Sequence, residues 1–421
     1  RPWSSTQSRA VSGVTLTTFS ATARMLRRML QRSYRPLIPL LLASLLGCAE
    51  ESAPLDQQLY VWQRQWRPAH AEALAQSRAD FSTLRVLALQ AQPQAGWSRA
   101  RVDVELLRRD ARPLIAVVRL DGQLPQLDPA EIGQQLAARV RDWQAAGLRL
   151  SGLEIDHDCA TSRLPAYAEL LREVRRQLPA ELRLSITALP AWLDSPALDE
   201  LLARVDSSVL QVHAVSDPQQ GLFDPEQAQD WAQRYGELSR KPFHLALPAY
   251  GVALTASGQV ESEVTLRQAG PRRELRAEPQ QVAALLEELQ GALPAHLAGI
   301  IWFRLPLAGD RRAWPMNTLL AVVRGQALTP ALGLQRQQRD GFSQLQLFNE
   351  GTLASPLPQR IELPAQACEA ADAVGDYRLE RQADRLLFIR RSEGRLDAGE
   401  RRALGWARCA QIDQGGMHVQ F

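Results

Sequence analysis

Residues 151–159 read Ser-Gly-Leu-Glu-Ile-Asp-His-Asp-Cys. Glu154, Asp156 and Asp158 occupy alternate positions, with Leu153 and Ile155 between them. Side chains of a β-strand alternate between its two faces. One face of this strand therefore carries three carboxylates and the other carries aliphatic groups, with His157 pointing away from the acids. Carboxylates in a row repel one another. Such a row suits the mouth of a barrel, where acid–base chemistry or a cation uses it, better than a purely structural strand.

The flanking chain alternates strand-like and helix-like segments. Strand-like runs fall at 59–66, 83–91, 112–121, 150–158, 183–190, 207–215, 242–250 and 298–306. Helical periodicity and good helix formers occupy 128–146, 163–178, 225–236, 278–291 and 311–324. Most of the strands are near-continuous apolar runs, as in a parallel sheet buried on both faces. Eight such units in 58–326 predict an α/β protein of the (β/α)8 TIM-barrel class. A doubly wound open sheet is the alternative. No glycine-rich phosphate turn follows the first strand, which counts against a dinucleotide-binding version. Beyond 327 the pattern changes: short strands at 344–348, 359–363, 376–381 and 385–390 predict a small all-β domain over 327–421.

A chain of 421 residues, 45% of them hydrophobic, is ample for such a core. The formal charge is +3, but residues 1–48 hold seven arginines and no acid. With those set aside, 42 basic residues face 46 acids, about −4. The remainder has no basic stripe, so nucleic-acid binding is not expected. Residues 1–48 read as a leader. Arg27, Arg28, Arg32 and Arg35 precede an apolar run from Pro36 to Leu46, which has the length of a signal-peptide core and is short for a membrane span. Met25 or Met29 reads as the natural start. Leu45-Leu46-Gly47-Cys48 resembles the lipobox of bacterial lipoproteins. That resemblance implies cleavage before Cys48, a lipid anchor on its thiol and, with Ala49 following, an outer-membrane position facing the periplasm. An ordinary signal peptide with a chance cysteine is the alternative. Residues 49–57 read as a tether. Export implies an oxidising compartment, in which Cys368 and Cys409 can pair; Cys159 is then left over and reads as a small buried thiol.

The acidic segment also resembles a known motif. Family-18 chitinases and their relatives carry Asp-Gly-x-Asp-x-Asp-x-Glu at the end of the fourth barrel strand. In Ser151-Gly152-Leu153-Glu154-Ile155-Asp156-His157-Asp158, Gly152 and Asp156 match it outright, Glu154 and Asp158 keep a carboxylate of changed length, and Ser151 replaces the first acid. The resemblance implies glycoside hydrolysis assisted by the substrate's own acetamido group, with Asp158 as proton donor, Asp156 as its partner and Glu154 beneath them. Like-charge repulsion between neighbouring acids raises one pKa. Asp158 is one methylene shorter than the family's Glu, which withdraws the carboxyl by about 1.5 Å. An alternative is that the row merely binds a neighbouring arginine or water. Most of the chain after the leader further resembles an uncharacterised family of bacterial exported proteins, domain of unknown function 3142, through Gly-Leu-Glu-Ile-Asp-His-Asp-Cys at 152–159. That resemblance implies no established activity.

Other strand ends supply substrate-binding candidates. Trp302 resembles the tryptophan that lies under the sugar ring in family-18 barrels. Trp62, with Trp66 and Trp192, offers stacking surface; core packing is the alternative for each. His213, Tyr250 and Arg304 also end strands, and Arg119 and Arg304 are candidate partners that neutralise the acidic row. Neither a cofactor nor a metal is expected, since no His-x-His or His-x-x-x-His pair accompanies the acids. The reading is an exported glycoside-hydrolase-like protein acting on an envelope or extracellular polysaccharide, held to the membrane through Cys48. A non-catalytic carbohydrate-binding or envelope-assembly lipoprotein on a degenerate hydrolase barrel is the competing reading.

Overall fold

The computed structural model describes residues 55–212, 221–255, 260–261 and 272–421. Cys48, the leader and His213 lie outside the described residues.

Eight parallel strands close into a barrel: β1 (Asp56–Val61), β2 (Thr83–Gln92), β3 (Leu114–Leu120), β4 (Leu150–Asp156), β5 (Arg183–Ala188), β6 (Ser207–Gln211), β7 (Phe243–Pro248) and β8 (Leu297–Phe303). Each pairs with its sequence neighbours, and β8 pairs back to β1, so the sheet has no open edge. That closure excludes the doubly wound alternative. Eight helices alternate with the strands: α1 (Ala69–Ser77), α2 (Val104–Asp110), α3 (Pro129–Ala145), α4 (Leu164–Gln177), α5 (Ala197–Ala203), α6 (Pro225–Leu238), α7 (Pro279–Gly291) and α8 (Met316–Val323). Asp103, Asp128 and Asp224 cap three of them, each carboxylate accepting backbone N–H groups of the first turn. Pro129 and Pro225 sit at the first helical position, where the missing N–H costs nothing. Among the described residues no helix is long and apolar enough to cross a membrane.

Two strand ends differ from the sequence reading. β1 spans Asp56–Val61 rather than 59–66, which also moves its start into the expected tether. The alternation of Tyr-Val-Trp-Gln-Arg-Gln-Trp runs past the strand because Trp66 leaves the sheet to stack on His70, 4.7 Å between ring centroids. β4 stops at Asp156, so Asp158 lies just beyond the sheet.

The barrel core has two compartments. Outward-facing residues of the strands pack under the helices, and Trp302 belongs there: it is fully buried, donates to Gln57 Oε1 at 2.7 Å and packs 6.2 Å from Trp314. Inside, Tyr60, Val117, Val209, Ala246 and Ile301 form a separate apolar cluster. An ion pair crosses this interior. Arg85 of β2 meets Glu154 of β4, two strands away, and both are buried. Tyr60 donates to Glu154 Oε1 at 2.6 Å, Ser185 to Oε2 at 3.3 Å, and Arg85 Nε donates to Gln58 at 2.8 Å.

From Leu332 to Gln420 the chain forms an antiparallel β unit with its own core, including Leu345, Leu347, Ile361, Leu363, Phe388 and Leu404. Its order is 332–339, 342–349, 401–412, 360–373, 385–390, 377–381. Phe342–Asn349 shows strict in-out alternation of burial. The two longest strands, Arg360–Ala373 and Arg401–Ile412, are joined by a Cys368–Cys409 disulfide between residues paired in register. Sequence reading finds four of these strands. It misses Leu332–Arg339 and Arg401–Ile412, whose many arginines and glutamines hide the alternation.

Removing one partner of a buried ion pair leaves an uncompensated charge. Glu154→Ala is therefore expected to destabilise the protein by about 3–5 kcal/mol. Urea denaturation measures this, and a loss below about 1 kcal/mol would show that Arg85 finds other compensation.

Candidate active site at the mouth of the barrel

Arg119 ends β3, in register beside Asp156 of β4. Its Nη1 lies 2.7 Å from Asp156 Oδ2 and 2.7 Å from Asp158 Oδ2. Glu154, two residues earlier, points into the barrel and has its own arginine. The acidic row is thus split into two tiers. The lower carboxylate is sealed in the interior, and the upper two share a single guanidinium nitrogen at the mouth.

Asp156 is buried and fully engaged. Besides Arg119, its Oδ1 accepts from Thr187 Oγ1 of β5 at 2.7 Å and from Gln211 Nε2 of β6 at 3.1 Å. Three neighbouring strands therefore fix this carboxylate. Asp158 is held differently. Its side chain is 32% exposed, yet its Oδ1 is covered and has no hydrogen-bond partner, so the accessible side of the carboxyl is the one facing Arg119. Burial, then the charge of Asp156, push its pKa up to about 6, against the pull of Arg119. The like-charge effect expected from the i, i+2 spacing is present, but desolvation is the larger cause. Burial works against the charge of Arg119 and the two carboxylates outweigh it, so the guanidinium stays protonated. Burial likewise raises Glu154 against the pull of Arg85.

Glycine at 122 positions the acid. A Cβ built there would lie 1.9 Å from the Asp158 carbonyl oxygen. The loop after β3 thus packs backbone to backbone against the segment bearing Asp158. Arg163 secures that loop, donating to the Leu124 carbonyl at 2.6 Å.

Several sequence candidates fall elsewhere. Trp302 faces outward under the helices and is fully buried, so it cannot lie beneath a ligand at the mouth. The aromatic on the interior face of β8 is Phe303, the next residue. Phe303 packs edge-on against Tyr60 (5.8 Å), Trp62 (5.3 Å) and Tyr250 (5.2 Å). Trp62 and Phe303 are both half-buried, and Trp62 has the larger ring. Tyr250 is nearly buried, and burial raises its hydroxyl pKa. Arg304, expected beside the acidic row, pairs through its Nη2 with Asp310 at 3.0 Å in the loop after β8. Trp192 is buried and donates to the Cys159 carbonyl at 3.0 Å. His157 points away from the acids, as the alternation requires, with Nδ1 on the Leu120 carbonyl and its ring against Tyr167. Cys159 is buried, with its thiol pushed up to about 11 by desolvation. Sequence reading missed Thr187, Gln211 and Phe303. The signal for all three was present, since each is the last inward residue of its strand in the period that places Asp156.

Among the described residues no group of three or more His, Cys, Asp and Glu side chains is arranged to hold a metal ion. A separate groove of about 940 Å³ lies between the loop after β8, α1 and residues 394–402 of the β unit. Three of its acids are matched by arginines, Asp310 by Arg304, Asp397 by Arg395 and Glu400 by Arg402, while Glu72 accepts from Gln76.

The chain is thus a closed (β/α)8 barrel with carboxylates at the end of its fourth strand, followed by an antiparallel β unit. Residues 110–308 match the family described as Domain of unknown function (DUF3142), in agreement with the segment at 152–159. Residues 332–410 match a second, Domain of unknown function (DUF8456), which coincides with most of the β unit. No curated protein matches the sequence. Among solved structures the chain is similar to the spore cortex-lytic enzyme SleL of Bacillus cereus, at 14% identity over 66% of this chain and 75% of that one, with a TM-score of 0.49. It is also similar to a chitinase of Chromobacterium violaceum, at 15% identity over 61% and 96% of the two chains, TM-score 0.45. A chitinase of Bacteroides thetaiotaomicron is 12% identical over 60% and 90%, TM-score 0.47. These are likenesses of shape.

Asp158 binds its proton more tightly in the folded than in the unfolded state, so its contribution to stability is present below about pH 4 and is lost as pH rises through 6. Asp158→Asn removes that loss. The variant is expected to melt a few degrees higher than the parent at pH 7, with the gap closing toward pH 4. A melting point at pH 7 at or below that of the parent would contradict the assignment.

Proposed function

We propose that the protein is a glycoside hydrolase acting on an envelope or extracellular polysaccharide, with Asp158 as its general acid. One observation carries this reading. At the mouth of the barrel Asp158 has a carboxyl raised to about 6, beside a second carboxylate that three strands hold in place. An acid that titrates near the working pH both holds and releases a proton efficiently.

In this mechanism the protonated Asp158 gives its proton to the glycosidic oxygen as the bond to the anomeric carbon breaks. The bonding electrons leave with that oxygen. The carbonyl oxygen of the sugar's acetamido group attacks the anomeric carbon, closing a five-membered ring. Asp156, fixed by Thr187, Gln211 and Arg119, orients the acetamido N–H and offsets the positive charge that develops. Asp158, now ionised, then takes a proton from the water that opens the ring. Trp62 and Phe303 supply the apolar side of the cleft, against which a sugar face packs.

Export and a lipid anchor at Cys48, placing the barrel at the outer membrane facing the periplasm, belong to the same proposal. The motif at 45–48 and the apolar run before it support them. The mass of the N-terminal peptide of the membrane-extracted protein tests this: a diacylglycerol-modified Cys48 is expected, and an unmodified chain continuing upstream of it would refute the anchor.

The competing reading, a carbohydrate-binding barrel without turnover, draws on the short Asp158 side chain and its ion pair with Arg119. The two readings part on one experiment. Release of reducing ends from purified envelope and exopolysaccharides is expected from the parent, falling above about pH 6 as Asp158 ionises. Asp158→Asn is expected to lower this rate by about 100-fold or more while polysaccharide binding stays within about threefold. An unchanged rate in the variant would remove Asp158 from its role. No turnover in the parent, with affinity dependent on Trp62, would leave the binding reading.

A further inference from the structure

The arrangement at the mouth leaves a charge imbalance. Asp156 and Asp158 share Nη1 of Arg119. Among the described residues, Nε and Nη2 of Arg119 make no hydrogen bond. The side chain is 27% exposed. A guanidinium has five donors in a planar fork matched to a carboxylate. Here one nitrogen is engaged by protein, and among the described residues the Nε–Nη2 edge has no partner. Neighbouring arginines do not share this property. Arg85 is sealed against Glu154, Arg304 pairs with Asp310, and Arg163 is spent on loop carbonyls.

The contact with Arg119 also poses a problem for the acid. Asp158 Oδ1 is covered, so a glycosidic oxygen reaches the carboxyl from the side of Oδ2, and Oδ2 is occupied by Arg119. Proton donation requires that this contact loosen. A neutral sugar offers nothing to compete for the guanidinium.

Building on the hydrolase reading, we propose that the site takes a saccharide bearing a carboxylate, and that Arg119 is the residue that recognises it. The substrate carboxylate docks on the Nε–Nη2 edge as a two-point, charge-assisted pair. Arg119 turns toward it and Asp158 loses its counterion. An ionised Asp158 next to Asp156 and the incoming anion is disfavoured, so binding loads a proton onto Asp158. The substrate's own charge thus prepares the acid, and uncharged glycans are discriminated against because they leave Arg119 on Asp158. Arg119 acts here in binding and in positioning the acid, without taking part in proton transfer.

The test uses the folded protein and matched oligosaccharides differing only in charge. One series carries a uronic acid and the other an acetamido sugar with a lactyl ether carboxylate, each as the free acid and as its methyl ester. Calorimetry at pH 7 in two buffers of different ionisation enthalpy reads affinity and proton uptake together. In at least one series the acid is expected to bind about tenfold or more tighter than its ester, with net proton uptake accompanying the acid alone. The series that shows it identifies the source of the carboxylate. Arg119→Gln should reduce this preference to about twofold or less, and Arg119→Lys, which keeps the charge and loses the fork, should fall between. Equal or tighter binding of the ester in both series, absence of binding in both, or an acid preference that survives in Arg119→Gln overturns the proposal. Should Arg119→Gln fail to fold, the acid-over-ester ratio and proton uptake of the parent, with Arg119→Lys, still decide it. A parent that prefers the acid and takes up a proton but releases no reducing ends would refute hydrolysis while leaving the recognition role standing.

Discussion

The buried pair of Arg85 and Glu154 governs how the barrel interior is organised. A carboxylate in that position is costly unless a cation and several donors meet it, and Arg85, Tyr60 and Ser185 do so from three different strands. Because Glu154 is satisfied from within, it makes no demand on Arg119. The two acids above it are left with one guanidinium between them. The mouth is therefore electrostatically under-compensated while the interior is balanced, and the raised proton affinity of Asp158 follows from that division together with its burial. The same tiering separates an acid sealed in the barrel interior from two acids at its mouth.

The closed barrel was legible because a period-two pattern and apolar runs repeat eight times. Misreadings at strand ends share one cause. Alternation continues beyond Val61 and beyond Asp156 although the sheet does not, and composition carries no mark of where the last ladder hydrogen bond lies. Glu154 and Asp156 share the inward face, as the alternation predicts, while Asp158 lies just past the strand. The sealing of Glu154 was not legible, because Arg85 lies 69 residues before it and reaches it only across a closed barrel. Trp302 shows the limit of motif transfer. Position 302 faces outward in the β8 register, and the aromatic on the inward face is Phe303 one residue later. Counting inward positions along each strand would have found Phe303, Thr187 and Gln211. No such rule finds Gly122, whose role arises from two loops meeting backbone to backbone.

The functional reading rests on the position and environment of one short acid. Asp158 stands one methylene short of the glutamate of the family-18 motif, but Gly122 lets the adjoining loop approach its backbone without a side chain between them. Reach is a property of backbone placement as well as side-chain length, so the shorter acid does not by itself exclude the chemistry. Arg119 is the stronger constraint, since it occupies the side of the carboxyl that a substrate would approach.

The disulfide of the β unit has a consequence of another kind. Cys368 and Cys409 are directly opposed on two long antiparallel strands, of 14 and 12 residues. Long strands have many nearly equivalent ways to align, and a slip of one residue would exchange every inward side chain for an outward one. The covalent link fixes the local alignment, because the two sulfur atoms meet only when positions 368 and 409 face each other, and the register shifts by one in the bulge that follows. It works as an index pin for this stretch of the sheet, holding Ala365 opposite Ile412 in the interior. In an arginine- and glutamine-rich sheet, where hydrophobic patterning alone discriminates weakly between alignments, such a pin keeps the unit to one structure.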